Sequence, residues 1–173
     1  MPDKRPVAIV ARFRHRCLPM SSSESFDFSD LDAFLAPRSI AIVGASASAN
    51  KIGAVPLHYL RTQGYAGALY PVNPARAEIQ GLRCHPDLRS IGQPVDLAIF
   101  AIPAAQAEAA LDDAAAAGVR HVVMFSAGFA EAGAEGGQAQ QRFADRARAA
   151  GIRVLGPNCL GFMHVRNAVF ATF

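Results

Sequence analysis

The stretch Ser39-Ile-Ala-Ile-Val43, continuing into Gly44-Ala-Ser-Ala-Ser-Ala-Asn-Lys-Ile-Gly53, leaves this chain the fewest ways to fold. Its first five residues are largely apolar and β-branched, suited to a single strand buried on both faces. At Gly44 the pattern breaks into small residues, and helical spacing resumes near Ile52. A strand that turns through glycine into a helix start exposes backbone N–H groups at the positive end of the helix dipole. That arrangement accepts a phosphate.

The rest of the chain repeats the unit. Asp30–Ala36 reads as a short helix, with Ser29 as its N-cap, Leu31, Phe34 and Leu35 as its apolar stripe and Pro37 as its stop. A helix over 53–63 carries Pro56 in its first turn, where the missing N–H costs little, and ends at Gly64. Ala68–Val72 is a second strand, within Tyr70-Pro-Val-Asn-Pro74, and an irregular stretch with a short helical turn over Pro86–Ile91 follows. Val95–Ile102 is the clearest buried strand; Pro103 opens an alanine-rich helix over 104–117. A strand at His121–Ser126, a helix over 135–150 and a fifth strand at Ile152–Leu155 complete the series.

Near-continuous apolar strands alternating with helices predict an α/β fold: a Rossmann-like open parallel sheet with helices on both faces. Ligands of such sheets bind beyond the carboxyl ends of the strands. Four segments rich in Gly, Ser, Asn or Pro (44–51, 72–76, 126–128 and 156–161) follow strands and fall on that edge.

With 173 residues the chain has room for one domain. Residues 1–25 are expected to form a disordered tail and 26–173 the folded domain. Residues 1–20 carry Lys4, Arg5, Arg12, Arg14 and Arg16 against Asp3, a net of +4; since the whole chain is +3, the remainder is −1. The folded part therefore has no net positive field with which to grip nucleic acid. The basic tail has the composition of an organellar targeting segment; the preferred reading is a plain leader, or sequence upstream of a start at Met20. No apolar run reaches the roughly 18 residues of a membrane helix. Cys17, Cys84 and Cys159 are widely spaced, which argues against disulfides or a zinc knuckle and for a reducing, cytoplasmic setting. The five histidines share no metal spacing, and Ser126 lacks the G-x-S-x-G elbow of a hydrolase.

The glycine loop departs from the usual dinucleotide fingerprint. Gly44 is followed by Ser46 where a second glycine would stand, and the next glycine is Gly53. After the second strand, where an NAD site wants an acid, the chain has Asn73 and then Arg76. A neutral residue followed by a cation suits an adenosine bearing an extra phosphate, as in NADP or coenzyme A. A P-loop is excluded because Lys51 precedes Gly53.

Gly44-Ala-Ser46 with Lys51 and Gly53, Tyr70-Pro-Val-Asn-Pro74, Ala101-Ile-Pro103, Ser126-Ala-Gly-Phe129 with Glu131 and Gly133, and Gly156-Pro-Asn-Cys-Leu-Gly161 occur in one order. In this combination the chain resembles the N-terminal CoA-binding domain of NDP-forming acyl-CoA synthetases, relatives of the succinyl-CoA synthetase α subunit. The resemblance covers about Leu31 to Phe173. It implies that Ser46 and the loop from Gly44 to Gly53, Ala45 included, hold the CoA phosphates through hydroxyl and backbone donors, with Lys51 at the rim. It implies that Val72, Asn73 and Pro74 line the adenosine region and that Arg76 meets a phosphate. Ile102 and Pro103 would pack on the nucleotide or pantetheine, Ser126, Ala127 and Gly128 would approach the pantetheine arm, and Asn158 and Cys159 would lie toward the thiol.

The resemblance also implies a reaction in which acyl-CoA, phosphate and NDP give acid, CoA and NTP. The phosphohistidine of that reaction belongs to a following ligase domain and the nucleotide to an ATP-grasp portion. None of the histidines here matches the first, so this segment alone is expected to bind without turnover. The ligase and ATP-grasp parts, as domains or a subunit, are the expected partners. The alternative is a stand-alone regulatory module binding CoA or NAD(P). Several site residues also have plainer readings: Gly44 and Gly53 as turn and close-packing residues, Lys51 and Arg76 as solvated charges, Ile102-Pro103 as strand end and helix start, Cys159 as an inert thiol. A sheet edge near Val169–Phe173 is expected to expose apolar surface and favour a homo-oligomer.

Overall fold

The structure, a computed structural model, describes residue 31 and residues 34–173. The basic leader and the Ser29 cap lie outside the described residues, while Leu31, Phe34 and Leu35 are helical as expected. Five strands make one parallel sheet: β1 (Ser39–Val43), β2 (Ala68–Val72), β5 (Leu97–Phe100), β6 (His121–Met124) and β7 (Arg153–Leu155), in the spatial order β2-β1-β5-β6-β7. The chain runs outward from β1 to one side, then returns to build on the other. The strand order therefore reverses between β1 and β5, the switch point at which such sheets open a crevice.

Each strand alternates its side chains between two apolar layers. Ile40, Ile42, Leu97, Ile99 and Val123 face helix α1 (Val55–Thr62), which buries Leu57 and Leu60 against them. Ala41, Ala98, Phe100, Val122 and Met124 face α2 (Ala107–Ala116) and α3 (Ala134–Ala149), with Leu111, Phe143 and Ala147. Both faces of the sheet are covered, so its strands are apolar throughout. Short 3-10 turns at Ile52–Ala54 and Ala104–Gln106 lead into α1 and α2, so both α-helices begin later than the apolar spacing suggests.

Two small hairpins are additions. β3 (Glu78–Ile79) and β4 (Leu82–Arg83) form one, after which His85 pairs with Val72 and straps the β2 edge. The expected exposed sheet edge at Val169–Phe173 is corrected by the other. β8 (Gly161–His164) and β9 (Val169–Thr172) pair antiparallel, and Val169 and Ala171 are fully buried in the layer beside α1. Antiparallel pairing turns this segment away from the parallel sheet, and alternation sends Met163 outward, where Leu160, Met163 and Val165 are exposed.

At the amino edge, hydrogen bonds tie the strand starts together. The Ser39 hydroxyl donates to the Pro94 carbonyl and accepts the Asp96 N–H, each at 2.9 Å. Asp96 also receives the Arg38 backbone N–H at 2.8 Å and its guanidinium at 3.1 Å.

Candidate functional site

At the carboxyl edge, the turn after β1 is built on contacts that only glycine permits. Gly44 has φ +85°, and a Cβ there would collide with the Ala101 carbonyl of the neighbouring strand end. A Cβ on Gly53 would run into the Gly44 carbonyl. The two glycines thus let the start of α1 and the end of β5 close on a single turn at the switch point.

The structure corrects which donors that turn offers. The N–H groups of Gly44 and Ala45 donate to the Val72 carbonyl at 3.0 and 3.3 Å, and that of Ser46 to the Gly53 carbonyl at 3.2 Å. These backbone groups are spent on tightening the turn, and the Ala45 side chain is fully buried. The Ser46 oxygen accepts the Ser48 N–H at 3.1 Å, which leaves the hydroxyl proton able to donate outward. Beyond it, the N–H groups of Ala47, Ala49 and Asn50 have no partner among the described residues, and all three residues are exposed. The open donors lie within the Gly44–Gly53 loop, after Ser46.

The other strand ends are laced to this turn. Asn73 donates from Nδ2 to the Ala45 carbonyl at 2.9 Å, and its Oδ1 accepts the Ala75 N–H at 2.9 Å. Its own N–H donates to the His85 carbonyl at 2.8 Å. Asn73 is therefore a clamp between the ends of β2 and β1, with one amide N–H and its carbonyl oxygen engaged. Ser126, 7% exposed, donates to the Ile102 carbonyl at 2.5 Å, and its carbonyl accepts the Asn158 N–H at 3.0 Å. Ends of β5, β6 and β7 are joined in this way.

What remains free is informative. Lys51 and Arg76 are exposed, and neither side chain has an ionic partner among the described residues. Both stand on segments flanking the open N–H groups: Lys51 closes that loop, and Arg76 follows the Asn73 clamp. Val72 is buried under the turn; Pro74, Pro103, Ala127, Gly128 and Asn158 are exposed on the rim, and Ile102 is half-buried. The Cys159 thiol points inward, donating toward the Met124 and Leu155 carbonyls at 3.4 and 3.5 Å. That favours its plainer reading as a packing group. Among the described residues no cluster of His, Cys, Asp or Glu could hold a metal ion.

One contributor was not singled out as a site residue. Glu131 accepts the Gly128 N–H at 2.6 Å and the Phe129 N–H at 3.2 Å, which holds its carboxyl below the usual glutamate value. An acid three residues after a glycine-containing bend is the capping signal that could have found it.

At the switch point, free N–H groups, two cations without an ionic partner among the described residues and no acid directly after β2 are features that suit a phosphorylated ligand. Residues 38–165 match the family model described as a CoA binding domain. The chain belongs to the CoA-binding domain family. This CoA-binding domain is 33% identical, over 96% of its length, to "Acetate–CoA ligase (ADP-forming) II" of Archaeoglobus fulgidus, and 36% identical, over 83%, to the α subunit of "Acetate–CoA ligase (ADP-forming) II" of Pyrococcus furiosus. It spans 24% and 31% of those relatives' lengths. Among solved structures, a dinucleotide-forming acetyl-coenzyme A synthetase 1 of Ca. Korarchaeum cryptofilum in complex with phosphate and ADP superposes with a TM-score of 0.79 at 35% identity, covering 82% of this chain and 30% of that one. The CoA-binding domain is thus homologous to one part of larger ADP-forming ligases. No helix among the described residues is long and apolar enough to cross a membrane.

Proposed function

We propose that this domain binds coenzyme A for an NDP-forming acyl-CoA ligase. In this reading the diphosphate lies on the free N–H groups of Ala47, Ala49 and Asn50 and the Ser46 hydroxyl, with Lys51 at the rim. Arg76 meets the 3′-phosphate, Val72 and Pro74 border the adenosine, and the pantetheine arm passes Ile102, Pro103, Ala127 and Gly128 toward Asn158. The observation that carries the reading is the pairing of open donors and uncompensated cations at a switch point whose second strand ends in a neutral asparagine with no carboxylate directly after it. An NAD site needs a free carboxylate there for the ribose hydroxyls.

The phosphoryl chemistry belongs, on this reading, to a ligase portion and an ATP-grasp portion. The relatives are three to four times longer than the stretch matched here, which leaves room for both. The outer face of the β8–β9 hairpin, with exposed Leu160, Met163 and Val165, is the surface we assign to the ligase portion. Self-association through that face is the competing outcome, and sedimentation separates the two.

Isothermal titration with CoA, dephospho-CoA, NAD and NADP tests the ligand. CoA binding in the micromolar range, on the order of −8 kcal/mol, is expected of a site not enclosed by a second domain. Tighter binding of NAD than of CoA defeats the proposal.

A further inference from the structure

The loop 126–133 follows β6 at the carboxyl edge, beside the proposed path of the ligand, yet Ala127 and Gly128 have no side chains able to hold it in place. Its ends are anchored: Ser126 is tied to Ile102 and Asn158, and Phe129 is 2% exposed, with its ring 6.0 Å from that of Phe143. Between these anchors the Glu131 carboxylate takes the N–H groups of Gly128 and Phe129 through the single oxygen Oε1, while the Ala127 N–H has no partner among the described residues. The next N–H, of Ala130, donates to the Gln140 side chain of α3 at 3.2 Å. Glu131 is exposed and has no cationic partner among the described residues. Its charge is directed at the backbone of a loop beside the proposed path of the ligand, where it also denies those two N–H groups to any free anion.

We propose that Glu131 is a positioning residue for the thiol-bearing arm of the ligand: by capping Gly128 and Phe129 it fixes the peptide edges along which a neutral, amide-containing chain must run. An anionic ligand group is directed instead to the open donors of Ala47, Ala49 and Asn50. The inference rests on the CoA reading above.

The test compares wild type, Glu131→Ala and Glu131→Gln for binding of CoA and of adenosine 3′,5′-bisphosphate, which keeps the adenosine and the 3′-phosphate but lacks the arm. Glu131→Ala is expected to weaken CoA about tenfold while leaving the bisphosphate within about twofold. Glu131→Gln, which keeps an acceptor oxygen, restores most of the CoA affinity. Unchanged bisphosphate binding doubles as the measure that the crevice is still folded. Equal losses on both ligands, unchanged CoA binding in Glu131→Ala, or a glutamine variant as weak as alanine overturn the positioning role alone. A wild type that fails to bind CoA removes the ligand assignment, and this inference with it.

Discussion

The Ser126 hydroxyl donates to the Ile102 carbonyl at 2.5 Å while the Ser126 carbonyl accepts the Asn158 N–H, so one buried residue ties together three strand ends of the crevice. Ser126→Ala removes the first tie and leaves the Ile102 carbonyl without it. The expected cost is about 1 kcal/mol in a urea melt. In the proposed pose Ile102 borders the ligand, so CoA affinity should fall several-fold as well. A variant as stable as wild type with unaltered CoA binding would show that the tie does not shape the site.

Two glycine substitutions should differ in sign. Gly53→Ala drives a methyl group into the Gly44 carbonyl at the switch point, where backbone faces backbone and neither can yield cheaply. A loss of more than about 2 kcal/mol is expected, together with CoA binding. Gly137 lies within α3 with open space where its Cβ would go. Gly137→Ala is expected to stabilise by about 0.5–1 kcal/mol, since alanine loses less backbone freedom in a helix. Thermal unfolding of the two variants side by side checks both signs.

Arg76→Ala should weaken CoA more than dephospho-CoA. The guanidinium is exposed, so its interaction with a phosphate is expected to be about 1 kcal/mol, roughly fivefold in affinity at low salt and less at high salt. Titrating both ligands at two ionic strengths measures the difference. Equal losses place Arg76 away from the 3′-phosphate.

Most of the fold was legible because the strand signals are local. Ser39–Val43, Leu97–Phe100 and His121–Met124 lie within apolar runs buried on both faces, and no tertiary information is needed to read them as parallel strands. The β8–β9 hairpin was not legible. Gly161–His164 and Val169–Thr172 are four residues each, and their pairing depends on a turn through Ala168 at φ +52°, a conformation alanine rarely signals. At the candidate site, residue types marked the loops at the carboxyl edge but not the direction of each donor. Ser46 and Asn73 both looked like ligand groups; only the three-dimensional arrangement shows that Asn73 bridges Ala45 and Ala75 while the Ser46 hydroxyl is still free to donate. Hydrogen-bond bookkeeping of that kind is non-local and leaves no trace in spacing.

The opposite edge of the sheet predicts a pH response that is separate from binding. Burial pushes the Asp96 carboxyl up, but hydrogen bonds from the Arg38 guanidinium and backbone outweigh it and leave Asp96 below its ordinary value of 3.8. A carboxylate depressed in the folded state stabilises the fold above its unfolded value, and that contribution is lost as pH falls through the lower folded value. Wild-type stability should therefore be flat in this respect near neutrality and decline below about pH 4. Asp96→Asn keeps an acceptor oxygen but no charge: it should lower the urea midpoint at pH 7, lie closer to wild type at pH 3, and leave CoA affinity unchanged, since Arg38 and Asp96 lie at the amino edge, away from the crevice. A variant whose deficit grows toward acid pH would reverse the sign and rule out the Arg38–Asp96 clasp as its source.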